Sequence, residues 1–561
     1  SLPHSVTTLK VLSEIENIRQ QSLERIGFYA EDLAASNNWV VSGKRTIDGK
    51  PLLANDPHLR PAQPPIWYLV NLSAPNLKVA GVSTAGIPGV IIGHNENIAW
   101  GLTNVGPDVQ DLYLETFDAN GKYKTPNGFE SPIVRREEIK VRKNPLSPET
   151  ETEVLNVTTT RNGVIFFEES GKRYALKWTA FDAKNSTLNA FSSLAKAKNW
   201  NDFRNSLKNY AGAMQNFVYA DAQGNIGWIV AGRVPLRKTG DGSLPYDGGG
   251  NDGEWTGFIP FDELPQLYNP PEGFIVTANQ RTVGKTYKYH NLIARAHTVS
   301  RAKRLQDLLN ANAKVSINDM RDFQFDTFSV INSRFAREVA NQKAASDETL
   351  KLLSAWDGRM NANSKAALFA DRMRSDFRNK ILAGNFGAER AKNIFLPYDN
   401  AFFDWIITEK PKEWLPKEFK SYDELLKASE TGARANLTKQ LSADESKWTW
   451  GAVAKTNFSH PLAVAPLIGT LFAIEPFPQN GSGGAGASPN VGSAVSMRFI
   501  ATPGNWDTTL FTLPTGESGD PKSAHYKNQL EAWRTGNTPV FPFSKSAVEN
   551  AAKEKILLTP K

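Results

Sequence analysis

The chain has 561 residues, 40% hydrophobic and 22% charged, the proportions of an ordinary globular protein with ample material for a core. A balance of 65 basic against 58 acidic residues leaves a net charge of +7. No run of five like charges and no basic stripe interleaved with aromatics is present, which argues against a nucleic-acid partner. Cysteine is absent, which removes disulfides, thiolate metal sites and cysteine nucleophiles together.

In chain order, residues 5–35 read as one amphipathic helix, with Leu9, Leu12, Ile15, Ile18, Leu23 and Ile26 at three-to-four spacing. From Trp39 to Glu115 the pattern changes to short strands with Gly/Pro punctuation. These are Asn38–Gly43, Pro51–Ala54, Trp67–Leu72, Gly89–Gly93, Ile98–Gly101 and Leu112–Leu114. Residues 131–180 continue it with Ile139–Arg142 and Val164–Phe167. A helical stretch over Leu188–Tyr210 precedes strands at Asn216–Ala220 and Ile226–Ala231. Ser300 to Ser446 is mostly helical, with segments such as Arg301–Asn310 and Thr349–Asp357, and strand signals return after Trp448. Gln479–Ser493 is a loop rich in Gly, Ser and Asn. Strands, then helices, then strands that rejoin the first sheet imply one layered α+β body with a helical insertion over 301–446. No run of about 18 apolar residues offers a membrane span, and Ser1-Leu2-Pro3-His4 does not open a signal peptide.

The informative words are Ser36-Asn37-Asn38-Trp39-Val40-Val41-Ser42-Gly43 and Gly49-Lys50-Pro51-Leu52-Leu53-Ala54-Asn55-Asp56-Pro57-His58-Leu59. Cleavage before Ser36, after the small residues Ala34 and Ala35, would leave a residue carrying both a hydroxyl and a free α-amine. An α-amine titrates near pH ~8, so a useful fraction is neutral and able to take the hydroxyl proton directly or through one water. On its own a Ser-Asn pair is an ordinary strand-opening serine. Further words follow in order: Pro88-Gly89-Val90, Gly93-His94-Asn95, Ala99-Trp100-Gly101 with Thr103, Asp108 and Asp111, and Tyr219-Ala220-Asp221 with Gly224-Asn225-Ile226-Gly227. Gly273-Phe274-Ile275 then leads to Asn279, and Trp450-Gly451, His460-Pro461, Gly516 to Gly519 and Ser523-Ala524-His525-Tyr526 close the series. No Gly-x-Ser-x-Gly elbow, His-x-x-x-His pair or phosphate-binding loop competes with them.

This ordered set, spanning nearly all of residues 36–545, resembles the catalytic chain of the penicillin-acylase family of N-terminal-nucleophile hydrolases. The resemblance implies a four-layer αββα sandwich that hydrolyses N-acyl amides through an ester on Ser36, with the freed amine as general base. It places an oxyanion hole at the backbone N–H of Asn104 and the side-chain amide of Asn279, the two donors a tetrahedral intermediate needs. It assigns His58 to orienting the amine and Arg301 to the electrostatics and closing motion of the site. Asp108 and Asp111 resemble part of a structural calcium site, although His290-Asn291 stands where other members supply a carboxylate. No organic cofactor is implied.

In that family the acyl group enters an apolar pocket beside the nucleophile. Positions that are aromatic in phenylacetyl-preferring members are here Leu59 and Ile92, with Leu102 and the polar Gln215 nearby, so a medium or long aliphatic acyl group is expected. Residues 1–35 read as the end of a first chain or spacer and 36–561 as the catalytic chain, made as a precursor that cuts itself and pairs with an N-terminal chain. While Ala35 remains attached, the amine is an amide and cannot act as base. Family members imply a periplasmic or secreted location. Two rival readings are an acyl-homoserine lactone acylase, which shares the mechanism, and a non-catalytic binder of acylated ligands or glycans built on its 14 Trp, 14 Tyr and 30 Phe.

Overall fold

The computed structural model describes residues 35–559 apart from 60, 145–146, 170, 183–185, 290–291, 294–298, 392–400, 465–467 and 482–489. The expected helix over 5–35, apart from Ala35, and the His290-Asn291 pair therefore lie outside the described residues, as does most of the loop at 479–493.

Strands β1 (Ala35–Val41), β2 (Leu52–His58), β3 (Tyr68–Ala74), β4 (Leu77–Ser83), β5 (Ile92–Asn95) and β6 (Ile98–Asn104) follow one another along the chain. After the helices α1 (Thr187–Leu194) and α2 (Trp200–Leu207) come β7 (Gln215–Asp221), β8 (Ile226–Ala231), β9 (Gln266–Tyr268) and β10 (Phe274–Thr277). Helices α3 (Ser300–Ala311) and α4 (Ile317–Gln324) precede β11 (Arg498–Ala501) and β12 (Leu510–Thr512). Two sheets carry the architecture, one in the order β10-β1-β2-β11-β12 and one in the order β9-β8-β7-β6-β5-β4-β3.

Strand β1 is buried along its whole length, as expected of a strand covered on both faces. Its alternation divides the layers. Trp39 and Val41 pack with Leu305 of α3 and Met320 of α4, whereas Val40 joins Leu53, Phe499 and the seven-stranded sheet. The far face of that second sheet receives Phe191 and Leu194 of α1 and Phe203 and Leu207 of α2. The result is helix, sheet, sheet, helix, the expected αββα sandwich. Local signals agree with it. Ser316 and Asp319 form a reciprocal capping box that starts α4. The amide of Asn95 donates to the carbonyls of Ala195 and Ala197, tying the β5–β6 turn to the end of α1.

The helical stretch expected over 301–446 divides at Ser329. Helices α3 and α4 form the outer layer over β1, while Val330–Gln342, Lys365–Phe386, Ala401–Glu409 and Tyr422–Gln440 enclose a separate core around Phe335, Phe369, Phe377 and Leu425. A third sheet of six strands, including Gln110–Glu115 and the long ribbon Ile133–Arg142 with Thr150–Thr160, stands beside the sandwich.

Candidate functional site

Strand alternation aims consecutive residues of β1 in opposite directions. Ser36 pairs with Pro57 and Asn38 with Asn55, and these even-numbered residues of β1 face the seven-stranded sheet. Gly101 of β6 is the close approach there, since a Cβ on it would lie 3.0 Å from the side chains of Asn38 and Asn55. The Asn55 amide bridges the two sheets by accepting from Leu102 N–H at 3.0 Å and donating to Leu102 C=O at 3.1 Å.

Ser36 is 6% exposed, and its Oγ donates to the carbonyl oxygen of Ala35 at 2.5 Å. Its N–H donates to Asn279 Oδ1 at 2.6 Å. Arg301, buried at the start of α3, grips the same unit. Nη1 donates to Ser36 C=O at 2.6 Å and to Asn37 Oδ1 at 2.8 Å, and Nη2 donates to Asn279 Oδ1 at 3.1 Å. Two donors on one atom fix the amide of Asn279 with its oxygen toward Ser36. The amide nitrogen therefore points the other way and donates to the carbonyl of Asn104 at 2.8 Å. Asn279 has φ +64°, a left-handed conformation that Asn tolerates better than most residues. That conformation turns its side chain back from the end of β10 onto the start of β1. Four of the five expected catalytic residues, Ser36, Asn104, Asn279 and Arg301, thus meet in one bonded cluster drawn from β1, β6, the end of β10 and α3.

His58 stands apart from the Ser36 hydroxyl. It pairs with Ala35 rather than Ser36, so period-two alternation puts its ring on the helix-facing side of the sheet. There Nε2 is 3.0 Å from both Asp56 Oδ2 and Asn37 Nδ2, and Nδ1 is 3.3 Å from Ser493 Oγ. Asp56 is the centre of a buried network the sequence reading passed over. Oδ2 accepts from Asn37 Nδ2 at 2.7 Å, and Gln324 and Arg498 approach from α4 and β11. The signal for it was present, since Asp56 and His58 are two apart in a strand and share a face.

Burial pushes the Asp56 carboxyl up to about 8, against the opposing pull of the Asn37 bond, Arg498, Gln324 and Arg301. The folded chain therefore holds a proton on Asp56 across the range where the unfolded chain has released it. This contribution to stability is complete below the ordinary carboxylate pKa and is lost as pH rises through the folded value. Replacing Asp56 with Asn removes the titration. Wild type is expected to lose stability relative to Asp56→Asn by roughly 1 kcal/mol per unit between about pH 5 and about pH 7.5. Urea unfolding of both proteins at the two pH values measures it, and parallel pH profiles would contradict it.

The four expected pocket residues separate by face. Thr103 and Asn216 bond each other, and Thr103 bonds Thr277 of β10, so this register faces the Ser36 sheet. Leu102, opposite Phe217, and Gln215, opposite Asn104, alternate with them and point toward the helices α1 and α2. Ile92 shares the face of Gly101 by the same alternation, and Leu59 follows Pro57 on the face of Ser36. Both pack against the core between the sheets.

Asp108 and Asp111, on the segment leaving β6, are both bonded by the guanidinium of Arg237. Among the described residues no group of three or more His, Cys, Asp or Glu is arranged to hold a metal ion. No helix among them is long and apolar enough to cross a membrane.

The family model for penicillin amidase matches residues 4–550. Penicillin acylase 2 proenzyme of Pseudomonas sp. (strain SE83) is 28% identical over 542 residues, covering 91% of this chain and 67% of that protein. The acyl-homoserine lactone acylase QuiP of Pseudomonas aeruginosa is also 28% identical, over 600 residues, covering 94% of this chain and 69% of its own length. Among solved structures, a thermostable penicillin G acylase from Alcaligenes faecalis superposes with a TM-score of 0.73 at 21% identity, over 94% of this chain and all of that one.

Proposed function

The chain belongs to the penicillin amidase family of amidohydrolases, and on that premise we propose that it hydrolyses aliphatic N-acyl amides on Ser36 after releasing that residue's amine by cutting itself at Ala35–Ser36. The observation that carries this reading is the convergence of Asn279 and Arg301 on the peptide unit of Ser36, 243 and 265 residues away in sequence. A plain structural serine needs no such clamp.

In self-cleavage, Ser36 Oγ attacks the carbonyl carbon of Ala35, the C–N bond breaks as the nitrogen takes a proton, and water opens the resulting ester. The amine so formed sits where Ser36 N–H now bonds Asn279 Oδ1, which leaves its lone pair available to the hydroxyl. In turnover the amine accepts the Oγ proton as Oγ attacks the substrate carbonyl. It then returns the proton to the leaving nitrogen, and finally activates the water that frees the acid. Asn279 Nδ2 and the N–H of Asn104 are the oxyanion donors of this scheme. Arg301 holds Ser36 and Asn279 in register, and His58 with Asp56 fixes Asn37 beneath them. An N-terminal chain of the same precursor and an exported location belong to this reading and rest on the family alone.

Of the four expected pocket residues, Leu59 and Ile92 are the two on the Ser36 face, and as aliphatic side chains they would bury an alkyl chain without offering a ring to stack on. Octanoyl anilide is expected to be cleaved about tenfold faster than phenylacetyl anilide at low concentration, the scale a pocket wall can discriminate. A strong phenylacetyl preference would remove the aliphatic assignment. The equal likeness to a lactone acylase favours N-acyl homoserine lactones as one member of the same substrate class. A sulfonyl fluoride that fails to label Ser36 in the processed protein would favour a binding role instead.

A further inference from the structure

The pair Asp108 and Asp111 sits where a sheet junction needs holding. The chain leaves β6 at Asn104, turns through Val105–Val109 and enters strand Gln110–Glu115 of the six-stranded sheet. Two carboxylates so close must be neutralised. Arg237, at the end of the short strand Pro235–Arg237, supplies the charge. Its Nη2 is 3.1 Å from Asp108 Oδ1, and its Nε donates to Asp111 Oδ2 at 2.8 Å. The Arg237 side chain is 1% exposed and that of Asp111 is 0% exposed, so the contact is a buried fork rather than a surface pair. Trp255 Nε1 adds a third donor, to Asp111 Oδ2 at 2.5 Å. Lys177 stands directly opposite Asp111 in the ladder, with its ammonium 5.1 Å from the Trp255 ring.

This donor set does not fit a calcium ion. Such an ion takes about six to eight oxygens at roughly 2.3–2.6 Å, whereas here N–H groups take one oxygen of each carboxylate and a fixed guanidinium stands where a dication would be repelled. Among the described residues Asp111 Oδ1 has no hydrogen-bond partner, but it is one oxygen and not a coordination shell. Gly242 closes over it, since even a Cβ there would lie 2.5 Å from Asp111 Oδ1 and 2.7 Å from Asp108 Oδ2.

We infer that Arg237 is the built-in counter-ion of Asp108 and Asp111, and that the folded protein takes no divalent cation at this pair. The guanidinium staples the segment after β6 to the Pro235–Arg237 strand. That segment leaves directly from Asn104, whose carbonyl receives the amide of Asn279. The inference is independent of the acylase reading, because it concerns folding and ion binding alone.

The test is thermal unfolding of the whole chain in excess EDTA and in millimolar calcium. The wild-type midpoint is expected to agree within about 1 °C between the two, because a ligand that does not bind the folded state cannot shift it. Arg237→Ala is expected to unfold several degrees lower, since it leaves the buried Asp111 and the partly buried Asp108 without their shared cation. A wild-type midpoint that moves with calcium or EDTA would overturn the inference, as would an Arg237→Ala protein as stable as wild type. Should that variant fail to fold, terbium titration of the wild type decides. Trp255 touches Asp111 and would sensitise a lanthanide bound there. No terbium emission attributable to Trp255 is expected, and emission that disappears in Trp255→Phe would overturn the inference.

Discussion

Ser36→Ala is expected to leave one uncut polypeptide with no measurable acylase activity. The variant loses the hydroxyl that lies against the Ala35 carbonyl, where Oγ is 2.5 Å from the carbonyl oxygen. Losing a nucleophile costs on the order of four or more decades in rate, and here the loss counts twice, because without cleavage the general base never forms. The fold should hardly notice. Ser36 is only 6% exposed, but the bond its hydroxyl makes is to the adjacent carbonyl, while its N–H to Asn279 and its C=O to Arg301 are main-chain groups that Ala retains. The melting temperature should therefore stay within a few degrees of wild type. Intact-mass measurement with N-terminal sequencing reads the result. A wild-type fragment beginning Ser-Asn-Asn-Trp, absent from the variant, is the expected pair of outcomes. Normal cutting in Ser36→Ala would refute self-processing and leave only the nucleophile role to be tested.

Much of this site was legible because the functional residues sit in words with local meaning. Ser36 opens a strand and Arg301 starts a helix, so both could be placed on an element before any distance was known. Asn279 could not, because the strand Phe274–Thr277 that ends two residues before it was not read from the sequence. Their convergence could not be read from spacing. It follows from β10 pairing with β1, Asn38 to Thr277, a contact between segments more than two hundred residues apart. Period-two alternation also sorts what the words alone ran together. His58 belongs with Asp56 on the helix side, and Leu102 and Gln215 face away from Ser36, although all lie close to it in sequence or in ladder register. Strand β4, Leu77–Ser83, was passed over, although Pro75-Asn76 before it is a turn signal and Asn76 does adopt φ +62°. Arg237 was invisible for a plainer reason. Its partner Asp111 is 126 residues distant, and a lone arginine in a short strand carries no motif. The division of the helical stretch was equally hidden, since amphipathic periodicity shows that a helix has a buried face but not which core it meets.

Asn279→Asp separates the two tasks that the asparagine performs. The acceptor half of the side chain is unchanged, so Ser36 N–H and Arg301 Nη2 keep their partner, and the new charge is offset by the guanidinium beside it. The donor half is lost. An oxygen replaces Nδ2 facing the carbonyl of Asn104, 2.8 Å away in the wild type, so a favourable bond becomes a repulsion between acceptors. If Nδ2 is an oxyanion donor, kcat should fall by about 10²–10³, corresponding to about 2.7–4 kcal/mol. KM should change little, because the ground-state carbonyl gains less from that donor than the tetrahedral intermediate does. Self-cleavage passes through a tetrahedral intermediate as well, so rates must be expressed per released N-terminal serine. Asn279→Gly, which keeps the left-handed backbone at no steric cost, removes both halves and should be worse than Asn279→Asp. A kcat within about threefold of wild type in Asn279→Asp would show that the amide nitrogen is not an oxyanion donor, since a true one is worth far more. The residue's part in the site would then be confined to holding the amine of Ser36.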